Sequence, residues 1–236
     1  MDYSSMNDSR RRFLKGTMIA ISATAIGPNV FLPAFAGPIA VDLDKYKPFF
    51  FDDAEWKFIL AATDRLIPAD ETGPGAIETN VPVFIDLQMM GSFGKASDWY
   101  MQPPFARDAA PEMGYQFPLT PADTYRKGIA ATEKYCQKTF DKSFDELTVE
   151  QQERVLKLLE SGGVNFDDVS AKQFFTFLLQ NTKEGYFADP IHGGNKHMAA
   201  WKMIGFPGAR GSYLEWVDKH NAVYPLGPVS IEGERG

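Results

Sequence analysis

Thr120-Pro121-Ala122-Asp123-Thr124-Tyr125-Arg126-Lys127-Gly128-Ile129, running on to Phe140, is the stretch that decides the fold class. Thr120 supplies an N-cap, Pro121 occupies a first helical position where its missing N–H costs nothing, and Asp123 places an acid in the first turn. Tyr125, Ile129, Cys136 and Phe140 then recur on one side. This predicts an amphipathic helix over about 121–139, the longest in the chain.

The same signals repeat on either side. Asp52 with Glu55 makes a capping box ahead of Trp56, Ile59, Leu60 and Thr63, and Pro68 lies just past Leu66, predicting a helix over 53–66. Pro82 in a first turn, then Val83, Phe84, Leu87 and Met90, predicts a short helix from Val81 to Met90, ending at Gly91. Thr148 with Gln151 opens a segment to Glu160, stopped by Gly162-Gly163. Ser170 with Gln173 opens another through Phe174-Phe175-Thr176-Phe177-Leu178-Leu179, and Asn195 opens a last one through Trp201. Apolar residues cover the 171–182 segment nearly all round, so it belongs in the centre of the bundle or between this chain and another. No run alternates with period two. The expectation is a mainly α, irregular helical domain with long ordered loops and little or no sheet.

Ahead of these helices, Arg10-Arg11-Arg12-Phe13-Leu14-Lys15 precedes a moderately apolar run, and Ala34-Phe35-Ala36 gives a small-x-small pattern before Gly37. That run falls short of the ~18–20 residues needed to span a bilayer. The pattern is that of a cleavable twin-arginine export signal, with Arg10, Arg11, Phe13, Leu14 and Lys15 as the address and Ala34, Ala36 and Gly37 as the cleavage site. It divides the chain into a signal peptide, 1–36, and a single helical domain, 37–236. Twin-arginine export carries folded proteins, so something must fold or take up a cofactor before crossing.

Composition narrows what the remainder does. Removing four basic and two acidic residues from totals of 24 and 31 leaves a charge of about −9. An acidic domain without a basic patch excludes nucleic acid and anionic lipid as partners, and any membrane contact must come through another subunit. One cysteine among 236 residues excludes an internal disulfide, a cysteine-ligated cluster and a Cys-x-x-Cys-His haem attachment. Cys136 lies on the apolar stripe of its helix, which makes it a buried thiol or, in an exported protein, the source of a bond to another chain.

The 28 residues from Gly91 to Pro118 exceed any ordinary connection. They hold Phe93, Trp99, Tyr100, Met101, Phe105, Met113, Tyr115 and Phe117. Aromatic and Met side chains are enriched where proteins meet, so the segment reads as a partner-binding arm with Trp99, Tyr100, Phe105, Tyr115 and Phe117 as interface candidates. Large aromatics also serve to fold such a loop back over its own helices.

No catalytic constellation emerges. Glu184 to His197 gathers two of the three histidines with Glu184 and Asp189 in a turn-rich stretch. The pair His192 and His197, however, is five apart across Gly193-Gly194, where a helical zinc pair needs three or four. The Gly205–Gly211 stretch and Gly73-Pro74-Gly75 lack the strand, helix and glycine spacing of a phosphate loop, and no Gly-x-Ser-x-Gly elbow occurs. A free-standing periplasmic metal-dependent enzyme built on 184–197 is the alternative reading. A two-lobed solute-binding protein is weaker, since strands and helices do not alternate.

Taken together, the twin-arginine signal, Asp64-Arg65-Leu66-Ile67-Pro68-Ala69-Asp70-Glu71, Gly73-Pro74-Gly75-Ala76, the loop from Trp99-Tyr100 to Phe105, Glu184-Gly185-Tyr186-Phe187-Ala188-Asp189-Pro190 and Trp201-Lys202-Met203-Ile204-Gly205-Phe206-Pro207-Gly208 resemble the gluconate 2-dehydrogenase subunit 3 family. The resemblance implies a non-catalytic small subunit of a periplasmic, membrane-attached sugar or sugar-acid dehydrogenase. It implies a large FAD-dependent subunit and a multihaem cytochrome c as partners, with FAD and haem c bound there and no cofactor bound by this chain. It further implies that the twin-arginine translocase accepts the pair through the address on this subunit.

Overall fold

The computed structural model describes residues 41–106 and 109–236. The export-signal residues Arg10, Arg11, Phe13, Leu14 and Lys15 and the cleavage residues Ala34, Ala36 and Gly37 lie outside the described residues. Among the described residues there are six α-helices: α1 (Asp53–Leu66), α2 (Val81–Met90), α3 (Pro121–Phe140), α4 (Val149–Ser161), α5 (Ala171–Phe187) and α6 (Ala199–Ile204). Among the described residues there is no strand, only isolated bridges joining Val229 to Gly208 and to Arg235.

Local chemistry accounts for the helix starts. Asp52 accepts hydrogen bonds from the backbone N–H of Ala54 and Glu55 while Glu55 accepts from Asp52 N–H, and Thr148 with Gln151 repeats the same box. Thr120 and Ser170 each accept from the backbone N–H three residues on. The stops are equally local: Asp141 and Gly162 take left-handed conformations that close α3 and α4.

The all-round apolar character of 171–182 is resolved within the chain. α5 packs against α1, α2, α3, α4 and α6, so its faces are covered by the chain's own helices. Phe174 and Leu178 are fully buried, as are Phe58 from α1, Tyr125 from α3 and Phe144 before α4. Their rings interlock, with centroids 4.7 Å apart for Phe58 and Phe144, 6.0 Å for Phe58 and Phe174, and 5.7 Å for Tyr125 and Phe174. Each fully buried side chain of this size contributes ~1.5–3 kcal/mol. The one polar tip in the cluster is satisfied, because the Tyr125 hydroxyl donates to Asn181 Oδ1 at 3.0 Å.

The last helix starts later than its sequence pattern predicts. Asn195 adopts φ 44° and opens only a 3₁₀ turn, and His197 and Met198 also take positive φ before α6 begins at Ala199. The Asn195 side chain is committed elsewhere, donating to Ala188 O at 2.9 Å and accepting from Ala200 N–H at 2.9 Å. It pins the turn to the end of α5 rather than starting a helix.

A second anchor, not evident from the sequence, holds the segment before α1. Asp86 lies on α2 with no exposed surface. Its carboxylate accepts from the Tyr46 hydroxyl at 2.7 Å and from the backbone N–H of Phe49, Phe50 and Phe51 at 2.8, 3.0 and 3.2 Å. Arg126 adds a clamp from α3, donating to Phe50 O and to Glu55 at 2.6 Å each and stacking over the Phe50 ring. Burial, with the Asp86 carboxylate beside it, raises the Tyr46 phenol above its usual range.

Candidate functional site

The long 91–118 connection divides its aromatics between inside and outside. Trp99 stacks on Tyr115 with centroids 4.8 Å apart and meets Phe93 edge-on at 5.5 Å, and all three gather around Phe177 of α5. Phe117 stands 5.5 Å from Tyr115. The Tyr115 hydroxyl donates to Leu119 O at 2.6 Å, and burial raises its pKa. These side chains anchor the segment to its own helices. Tyr100 and Met113 turn the other way, 80% and 69% exposed, and Phe105 is half-buried.

Cys136 has no exposed surface, and burial pushes its thiol up to about 12. A thiol so placed is protonated at neutral pH and inert toward disulfide exchange. Forming a bond to another chain would require α3 to lift off the core.

The 184–197 segment is spent on turn chemistry. Glu184 accepts from Gln180 at 2.8 Å and Asn181 at 3.0 Å. Asp189 accepts from Ile191 N–H at 3.1 Å and from Ile231 N–H at 2.8 Å, tying the C-terminal stretch to the end of α5. His192 is exposed, and His197 faces Glu234 at 3.5 Å. Among the described residues no three His, Cys, Asp or Glu side chains gather as a metal ion would need.

What the fold does bring together is a set of segments far apart in sequence: Leu66–Pro74 after α1, Tyr186 and Phe187 at the end of α5, and Trp201–Phe206 around α6. Of these, Leu66, Ile67, Pro68, Asp70, Thr72, Gly73 and Pro74 with Tyr186 and Met203 line a shallow notch of about 290 Å³. The Tyr186 hydroxyl donates to Pro74 O at 2.6 Å and lies 3.7 Å from Met203 Sδ. Trp201 donates its indole N–H to Phe187 O at 2.8 Å and stacks edge-on against Phe206 at 5.0 Å. Gly75 lets the 67–76 turn close, since a Cβ there would stand 2.5 Å from Ala69 N, and Ala76 N–H bonds Ile67 O at 2.8 Å. Asp70 accepts from Thr72 and Gly73 N–H at 2.7 and 3.2 Å, which holds its carboxyl below the usual range.

The notch therefore offers apolar walls, an acidic edge and no cluster of nucleophile, base and oxyanion donors. Sequence inspection singled out its segments one by one without showing that they meet.

No curated protein and no solved structure matches the chain. A family model does, that of gluconate 2-dehydrogenase subunit 3, over residues 53–208, a range that takes in all six helices, the arm and the notch. On that match across most of its length, the chain belongs to the gluconate 2-dehydrogenase subunit 3 family.

Proposed function

We propose that this chain is the non-catalytic small subunit of a gluconate 2-dehydrogenase-like complex and the export escort of its flavoprotein. The observation that carries the reading is the family match over 53–208, which makes the chain an accessory subunit of a multi-subunit dehydrogenase. The Arg10-Arg11 address supports the escort role, because a twin-arginine signal is needed where a partner must load its cofactor before crossing.

In this reading a large FAD-dependent subunit oxidises the sugar acid, and a multihaem cytochrome c passes the electrons to the membrane. FAD and haem c reside in those partners. The complex is periplasmic and attached to the inner membrane through them, while this chain stabilises the flavoprotein by covering its apolar surface. Tyr100 and Met113 are exposed enough to reach a partner directly and the half-buried Phe105 lies on the same arm, whereas Trp99, Tyr115 and Phe117 hold the arm in shape through their ring contacts.

The test is to replace Arg10 and Arg11 by Lys in the native host and follow this chain and dye-linked dehydrogenase activity across cytoplasmic, periplasmic and membrane fractions. Retention of both a flavoprotein and its activity in the cytoplasm is the expected result. If this chain alone is stranded while every dehydrogenase reaches the membrane, the escort role is wrong.

A further inference from the structure

The first turn of α5 is only half capped. Glu55, Glu146 and Gln151 each accept from the backbone N–H of the residue three places before, which closes a box. Ser170 accepts from Gln173 N–H in the same way, but Gln173 returns nothing. Its side-chain amide has no partner among the described residues, and the backbone N–H groups of Ser170, Ala171 and Lys172 meet no protein acceptor.

These unspent groups belong to residues that border one cavity of about 330 Å³, within the ~300–1,000 Å³ of small-molecule sites. Tyr115, Phe117 and Phe166 give it aromatic walls, the first two with centroids 5.5 Å apart. Asn165, Asp167, Asp168 and Lys172 border it too, and among the described residues their side chains make no hydrogen bond or ion pair. Thr124 adds a buried hydroxyl without a hydrogen-bond partner, although Thr63, Thr132 and Thr182 all turn theirs back to the carbonyl four residues earlier. The Tyr115 hydroxyl, near enough for Thr124 to influence its pKa, gives its own proton to Leu119 O.

The lining decides the class of guest. Two carboxylates oppose an anion such as phosphate, while Lys172 and the positive end of α5 oppose a cation, for which no third acid is present among the described residues. Hydroxyl groups suit both sets at once, giving protons to carboxylate and amide oxygens and accepting from the N–H donors. Aromatic walls suit the C–H face of the same molecule. We propose that this cavity binds a neutral polyhydroxyl molecule, a monosaccharide or an open-chain sugar alcohol, with its hydroxyls on Gln173, Asn165, Asp168 and the free N–H groups of α5. Such binding needs no second subunit, so it succeeds or fails separately from the assembly proposed above.

The test is saturation-transfer NMR on the full tagged chain purified from its native host, with D-glucose and sorbitol as probes. Transfer from at least one of them is expected, with a dissociation constant on the order of 1 mM for a ligand of about a dozen heavy atoms. Gluconate, the same six-carbon chain ending in a carboxylate, should bind severalfold weaker than sorbitol. Gln173→Leu and Asn165→Leu leave the core untouched and should each weaken binding roughly fivefold with the helical melting curve unchanged, whereas Lys134→Ala on the outer face of α3 should not. No transfer from either neutral probe even at roughly 20 mM, or equal binding by the wild type and both leucine variants, overturns the site. Gluconate or inorganic phosphate binding tighter than sorbitol overturns the neutral class of guest.

Discussion

Gly128 of α3 faces Phe174 of α5 with no room for a side chain: a Cβ at 128 would stand 2.3 Å from the Phe174 ring. The two helices approach as closely as they do because this one position is bare, and the approach lets Tyr125 reach Asn181.

Gly128→Ala is therefore expected to destabilise, although alanine is normally the better helix residue. Overpacking costs about 1–3 kcal/mol, against a helix-propensity gain of about 1 kcal/mol. Thermal unfolding should show Tm falling by roughly 2–6 °C for a domain of this size. Pairing the change with Phe174→Leu should cost less than the sum of the two singles, since one relieves the other. Additive losses would mean that the contact is softer than its geometry.

Asp86 ties down the segment before α1 with four donors, and hydrogen bonds to a charged group contribute about 1.5–3 kcal/mol each. The strap can peel into water when the carboxylate is lost, so Asp86→Ala should cost about 3 kcal/mol rather than the full sum. Limited trypsinolysis reads the peeling directly. The Lys45-Tyr46 bond should be cut at least about tenfold faster, since the same free-energy loss would raise the open population by more than that. Lys47 gives no competing cut because Pro48 follows it. Unchanged protection in the variant would show that the Arg126 clamp holds the strap alone.

How far the fold could be read in advance depends on whether a signal is local. The Asp52, Thr120, Thr148 and Ser170 caps act within three residues, and the helices they open begin where the sequence places them. Asn195 is another residue type suited to an N-cap and does something else, because its partners Ala188 and Ala200 approach it only in the folded chain. Asp86 shows the same limit: a lone acid in Val81–Met90 looks like an exposed residue until the strap folds over it. For the arm, composition told that aromatics would bury but not against what, and Trp99 and Tyr100 are neighbours facing opposite ways. The notch was invisible for the reason that makes it interesting, its walls being drawn from segments more than a hundred residues apart.

That opposition gives a paired prediction. Trp99→Ala removes an indole shared by Phe93, Tyr115 and Phe177 and should cost about 2–3 kcal/mol, somewhat below the range for a fully buried tryptophan. Tyr100→Ala should leave stability within about 0.5 kcal/mol, as for other surface changes. Chemical denaturation of the mature domain separates them. Equal losses would mean that Tyr100 has a seat on its own chain.

Alkaline pH should unfold the domain in a way traceable to named groups. The Cys136 thiol ordinarily titrates near 9 and is pushed to about 12 by burial, with the Glu133 charge adding to it. Between those values the unfolded chain loses a proton that the folded chain keeps, so the unfolded state binds fewer protons and stability falls as pH rises. The contribution is fully present below about pH 9 and declines by up to about 1.4 kcal/mol per pH unit above it. Tyr46 and Tyr125, both raised by burial, add to the slope from about pH 10 upward. Urea unfolding at pH 8, 9.5 and 10.5 should therefore show a falling stability in the wild type and a shallower fall in Cys136→Ala. The comparison is of slopes, because the cavity left by the missing sulfur lowers the variant equally at every pH. Tyr46→Phe, lowered at every pH by the lost bond to Asp86, should differ from the wild type in slope only at the highest pH, and parallel lines for all three would place the alkaline sensitivity in groups other than these.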